Sequence, residues 1–120
     1  MKRLVNTMRA LSDAIRLRII NLLHDRELCV CEIVDTLALP QSTISRHLTV
    51  LKNAGIVEDR RYGQWAFYKL IVGREDNSFI KTLIENEFKE HLLLQEDIEI
   101  LKKRLEKGRD CCKLDSSEEL

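Results

Sequence analysis

Little in this sequence is extreme, and each thing it lacks removes a class of protein. It has one proline, 5% aromatic residues and a formal net charge of zero, from 20 basic and 20 acidic side chains. The zero balance removes the whole-chain positive signal that many nucleic-acid binders carry. No uncharged apolar run approaches the length that a bilayer span needs. Met1-Lys2-Arg3 followed by apolar residues looks like the start of a signal peptide, but Asn6, Arg9, Asp13, Arg16 and Arg18 interrupt any apolar core behind it. There are no internal repeats and no low-complexity segments. These absences predict a cytoplasmic protein with no membrane partner. In that reducing compartment the four cysteines read as thiols, metal ligands or redox sensors rather than structural disulfides.

What is present fits one folded domain. The 120 residues are 44% apolar and 33% charged, enough for a single core with a soluble surface. The charge is unevenly spread. Residues 41–70 carry five Lys/Arg against two Asp/Glu, whereas residues 71–120 carry nine against thirteen. A basic segment inside a neutral chain can still dock on phosphates.

Apolar spacing divides the chain into helices and one hairpin. Leu4, Val5, Met8 and Leu11 predict a short first helix. Ser12 is a candidate cap for the second, with Asp13 in its first turn and Ile15, Ile19, Leu22 and Leu23 facing inward. A third helix is expected from about Cys29 to Leu37, and a fourth from about Gln41 to Ala54 with Ile44, Leu48 and Leu51 inward and Gly55 ending it. "IVEDRRYGQWAFYKLIV" is β-branched and aromatic with one break at Tyr62-Gly63, which reads as a β-hairpin. A long helix is expected from Asp76 to about Lys107. The predicted organisation is therefore residues 1–107 as one folded domain and 108–120 as a flexible, cysteine-containing tail.

Two short helices, a tight turn and a basic hairpin describe a winged helix-turn-helix, mainly α with a β-hairpin, in which the second helix enters the major groove of double-stranded operator DNA. Gln41, Ser42, Thr43, Ser45, Arg46 and Thr49 project from the faces of the fourth helix that the core does not use. Arg60 and Arg61 put charge on the wing. His47 lies near the apolar stripe and is expected to be part-buried and hydrogen-bonded.

"LSDAIRLRIINLL", "ELCVCEI", "QSTISRHLTVLKNAGIV" and "RRYGQWAFYKL" together resemble the ArsR/SmtB family of metalloregulatory repressors. The resemblance implies a homodimer, paired through its first and last helices, that leaves DNA when it binds a metal or metalloid. One departure is Pro40, where such proteins often carry a serine cap. Proline is compatible with a helix start.

Within that resemblance "ELCVCEI" is similar to the arsenic site of the arsenical-responsive branch, which carries a ligand role to Cys29 and Cys31 and implies As(III) or Sb(III), or another thiophilic ion, as inducer. Thiolates suit soft ions. In a regular helix the two thiols would stand roughly 200° apart, so chelation by both is expected to unwind the first turn and displace the recognition helix. The best-known version of the site has a third cysteine three residues on. Here that position is Val34, so the expected third donor is Cys111 or Cys112.

The last helix carries two heptad rows: Ile84, His91, Ile98 and Leu105, and Ile80, Glu87, Leu94 and Leu101. They read as a coiled-coil-like seam, and the expected dimer interface is Leu4, Met8, Ile84, His91, Leu94, Ile98 and Leu101. Glu87 and His91, at i and i+4, are a weaker candidate for the carboxylate–histidine site of zinc-responsive members. Competing readings are a cadmium, lead or zinc sensor, or a thiol-based redox regulator. A thiol enzyme finds no support, because no nucleophile motif or helix-capping CxxC is present.

Overall fold

In the computed structural model, residues 1–71 and 78–108 are described. Helix α1 (Lys2–Leu11) turns Thr7, Ala10 and Leu11 inward. Helix α2 (Ala14–Leu22) is capped by Asp13 rather than Ser12: its carboxylate accepts the N–H groups of Ile15 at 2.8 Å and Arg16 at 3.2 Å. An aspartate offers the same acceptor as serine with a charge that suits the helix N-terminus. Helix α3 (Val30–Leu37) ends at Ala38, whose φ of 56° reverses the chain into Leu39-Pro40 and helix α4 (Gln41–Asn53).

Ile44, Leu48 and Leu51 of α4 are fully buried, as their spacing predicts. Gly55 takes φ 77°, and its N–H donates to Lys52 O while that of Ile56 donates to Leu51 O, both at 3.0 Å. This is the Schellman closure, which needs a left-handed residue at that point. Pro40 precedes the helix in an extended conformation, so α4 starts as expected without a serine cap.

The hairpin forms as the sequence predicts, from β2 (Val57–Tyr62) and β3 (Trp65–Leu70), in register Tyr62↔Trp65. Gly63 sits at φ 60° in the two-residue turn, a value the hairpin turns of opposite twist demand. The sheet has a third strand that sequence spacing does not reveal. β1 (Leu28–Cys29) pairs antiparallel with β3, opposing Cys29 to Phe67 and giving the order β1-β3-β2.

The last helix is not continuous. Helix α5 (Ser78–Thr82) widens into a π turn at Leu83–Glu87, tightens into a 3₁₀ turn at Phe88–Glu90 and stops at His91, which is extended; helix α6 (Leu92–Glu106) then begins. The break lets α6 pack on α2 and α3. Arg18 forks onto Asp97 at 2.9 and 3.0 Å, and Asn21 donates to Leu94 O at 2.9 Å. Its hydrogen bond to Asp97 raises the Arg18 pKa despite burial, so the guanidinium stays charged inside the α2–α6 contact. Ile80, Ile84, Leu94 and Leu101 are consequently buried in the chain's own core. The continuous seam expected from the heptads does not form.

Candidate nucleic-acid interface and thiol pair

The α4 face away from the core carries Gln41, Ser42, Arg46 and Thr49, all exposed, with Thr43 and Ser45 half-buried. No described contact ties Arg46 down, and Thr49 satisfies its hydroxyl internally on Ser45 O. His47, on the inner side, is 7% exposed. Its Nδ1 lies 3.0 Å from Arg16 Nη1, as a part-buried histidine should.

The wing separates its two arginines. Adjacent strand residues point to opposite faces, and Arg60 turns back to clasp Glu27 at 2.8–3.0 Å while its guanidinium stands 5.0 Å over the Phe67 ring. Arg61 instead lines a cleft of about 570 Å³ between wing and α4, together with Gln64, Gln41, Ser45 and Thr49. The two arginines grouped by sequence therefore do different things. Arg61 faces the cleft, and Arg60 staples β2 to the segment before β1.

Cys29 and Cys31 open into that same cleft. The regular-helix expectation for them does not hold. Cys29 is the N-cap of α3, extended at φ −73° and ψ 150°, and Cys31 is the second residue of the helix. With the chain bent at the cap, the sulfurs meet, Sγ to Sγ at 3.0 Å, with no disulfide between them. The bend is held from two sides. Cys29 pairs with Phe67 across the sheet, and its N–H donates to Glu32 Oε1 at 2.8 Å while its side chain faces the Glu32 N–H, a capping box with sulfur in the usual hydroxyl place. The sequence signal was available: a capping glutamate stands three residues after Cys29. Phe67, Trp65 and Tyr62 pack around the two sulfurs.

The other candidates are dispersed or lie elsewhere. Cys111 and Cys112 fall outside the described residues. Glu87 and His91 are both exposed, and among the described residues no group of three His, Cys, Asp or Glu side chains is arranged to hold a metal ion. Leu4 and Met8 are 50% and 53% exposed on α1. Ile98 is partly buried against the core. The apolar residues that α6 does expose are Leu92, Leu93 and Ile100. No described helix is long and apolar enough to cross a membrane.

Comparison with known proteins agrees with this architecture. Residues 13–59 match the family model described as bacterial regulatory protein, arsR family. An uncharacterized HTH-type transcriptional regulator of Methanocaldococcus jannaschii is 48% identical over 67 residues, spanning 55% of this chain and 75% of that one. This chain belongs to the ArsR family.

Its relatives are DNA-binding transcriptional regulators of winged helix-turn-helix fold, not enzymes. The arsenic resistance transcriptional regulator ArsR1 of Pseudomonas putida is 49% identical over 63 residues, 52% of this chain and 49% of that protein. The alignment thus covers about half of that relative's length. Among solved structures, the homodimeric winged helix-turn-helix DNA-binding domain Mb0332 from Mycobacterium bovis superposes with a TM-score of 0.63 at 31% identity, covering 76% of this chain and 82% of that one.

Proposed function

We propose that this chain is a metalloid-responsive repressor: a homodimer that holds operator DNA through α4 and the wing and lets go when As(III) or Sb(III) takes the sulfurs of Cys29 and Cys31. The observation that carries the reading is the 3.0 Å contact between those sulfurs, opening into the cleft that Gln41, Ser45, Thr49 and Arg61 share. Gln41, Ser42, Thr43, Ser45, Arg46 and Thr49 approach base edges and phosphates, and Arg61 a phosphate. Arg60 supports the wing through Glu27. A second copy covers the exposed apolar residues of α1 and α6, Leu4, Val5, Met8, Leu92, Leu93 and Ile100, with Ile98 and His91 beside them. The homodimeric Mycobacterium bovis neighbour supports that pairing.

A preformed dithiol changes how release works. No helical turn has to unwind before both sulfurs can bind. A bridging metalloid instead ties β1, and through it β3 of the wing, to the first turn of α3, and fills space on the side of α4 that faces DNA. The third sulfur for a trivalent metalloid comes from Cys111 or Cys112. In support, Lys107 and Gly108, just past the end of α6, line a groove of about 300 Å³ whose other wall is Glu32, Asp35 and Thr36 of α3, the helix that carries Cys31.

The test is anaerobic titration of the protein bound to DNA from upstream of its own gene, with As(III), Sb(III), Cd(II), Pb(II), Zn(II) and an oxidant in turn. Release at near-stoichiometric As(III) or Sb(III) is expected. Release by Cd(II), Pb(II) or Zn(II) alone, or by oxidant alone, reassigns the protein to a divalent-metal or redox sensor of the same fold.

A further inference from the structure

The middle of α4 rests on a side chain that can gain a proton. His47 is buried, and its Nδ1 lies 3.0 Å from Arg16 Nη1 and 4.0 Å from Asp13 Oδ1. Arg16 is not free to follow the ring, because its Nε and Nη2 donate to the α1 carbonyls of Ala10 and Arg9. Asp13 is fixed as well, since its Oδ1 accepts the N–H groups of Ile15 and Arg16. A guanidinium carries its charge at any pH a protein meets. Asp13 stays ionised too: burial raises its pKa, but the Arg16 and Ile15 N–H groups outweigh that. Between about pH 5 and 8 the ring is therefore the member of this cluster that changes charge. Among the described residues, the elements packed on α4 direct their other charged groups elsewhere. Arg18 of α2 goes to Asp97, Glu32 and Asp35 of α3 to the Cys29 N–H and Arg104, and Asp59 of β2 to Lys52. Arg3 and Arg9 of α1 and Arg46 of α4 itself are exposed.

We propose that His47 is a positioning residue for DNA binding that seats α4 only as the neutral imidazole, so that one proton per chain, taken from solvent, weakens the hold on DNA. The inference rests on the reading that α4 holds DNA and is independent of the inducer. The neutral ring accepts from Arg16. In the protonated ring both nitrogens are donors. The acceptor is then gone, and two cations stand 3.0 Å apart. The acceptor that remains is Asp13 at 4.0 Å, about 1 Å beyond hydrogen-bond reach. Ile44 and Leu48, on the same side of α4, are fully buried, so the ring cannot cross that gap without carrying the helix, and Ser45 and Arg46 move with it. The sign is diagnostic. A histidine that gains charge beside a phosphate tightens DNA binding in acid, whereas this one loosens it.

The experiment measures the affinity of the full chain for DNA from upstream of its own gene, at fixed salt and without metalloid. It compares about pH 8 with about pH 5.5, either side of the range in which histidine charges, for wild type, His47→Gln and His47→Ala. Glutamine keeps an acceptor and cannot titrate. Wild-type affinity should fall about tenfold at the lower pH, as expected for losing one charge-assisted hydrogen bond. His47→Gln should bind alike at the two values and more tightly than His47→Ala, which should be weak at both. Circular dichroism at each pH follows the fold.

An equal fall in His47→Gln overturns the proposal by moving the proton to another group, such as His24 or His91. Tighter wild-type binding at the lower pH overturns it as well, and so does loss of the helical signal there, which would make the weakening global unfolding. Should the variants not fold, proton counting on the wild type decides. DNA that favours the neutral ring must by reciprocity expel its proton, so calorimetry in two buffers of different ionisation heat should show proton release on binding, and uptake overturns the proposal. If the wild type binds this DNA at neither pH, the reading of α4 fails first and this inference falls with it.

Discussion

Nη1 of Arg16 lies 3.0 Å from Nδ1 of His47, which joins the second helix to the recognition helix from inside the core. A guanidinium can only donate, so the imidazole is the acceptor in this contact whenever it is neutral. The same guanidinium donates through Nε to Ala10 O at 2.6 Å and through Nη2 to Arg9 O at 3.4 Å. One side chain thus fixes the end of α1, the start of α2 and the middle of α4. We expect Arg16→Ala to leave two carbonyls and an imidazole without this partner and to cost about 1–3 kcal/mol. Urea unfolding checks it: the midpoint should fall with an unchanged slope. Because α4 is seated through the same contact, DNA affinity should fall in the same variant.

Asp13 supplies a pH dependence. Burial alone would raise its pKa, but the N–H groups of Arg16 and Ile15, with the charges of His47 and Arg16, outweigh that and hold it below the ordinary 3.8. A carboxylate whose folded value is depressed adds stability that is complete above its unfolded value and is lost as pH falls through the folded one. We expect the wild-type chain to lose stability below about pH 4 more steeply than Asp13→Asn, which keeps a capping oxygen but cannot titrate. Parallel acid denaturation curves for the two would remove Asp13 from the acid branch.

The wing arginines should separate in salt titrations. Arg61→Ala removes a charge facing the cleft, so we expect weaker binding on all DNA sequences and a salt-dependence slope shallower by about 0.9. Arg60→Ala should instead act on the fold, removing the clasp on Glu27 and uncovering Phe67, with a lower unfolding midpoint and little change in slope. Arg46→Ala should lose about 1–3 kcal/mol, concentrated at particular bases if it reads an edge. A shallower slope for Arg60→Ala together with an unchanged one for Arg61→Ala would reverse the assignment.

Local chemistry explains which of these features a reader of the sequence could find. The α4 stripe, Gly55 and the Gly63 turn are fixed by residues a few positions apart, so spacing and turn residues expose them. The bend at Cys29 is fixed by Phe67, 38 positions away, and by a cap in which sulfur replaces the usual hydroxyl, which hides a familiar pattern. The break at His91 has no glycine or proline to announce it. It is set by contacts such as Gln95 Nε2 to Phe88 O at 3.0 Å and Asn21 to Leu94 O, so heptad spacing runs through it unseen. Arg60 and Arg61 look alike in sequence, and only the partner Glu27 tells them apart.

Cys29 has two duties that substitutions can separate, because it caps α3 and offers a sulfur. Serine is a preferred cap of nearly the same size, so Cys29→Ser should keep its fold and its DNA affinity and lose only the response to As(III). Cys31→Ser, at a part-buried position inside the helix, should behave the same way. Cys29→Val removes both cap and donor while keeping an apolar group against Phe67, and should in addition lose about 1 kcal/mol of stability. The measurement is thermal or urea unfolding of the three variants beside DNA release by As(III). If Cys29→Ser still releases DNA at the wild-type As(III) concentration, the sulfur is not a ligand and the contact with Cys31 serves only the cap. If Cys29→Val is as stable as Cys29→Ser, the cap contributes nothing, and the pairing with Phe67 alone holds the bend that brings the thiols together.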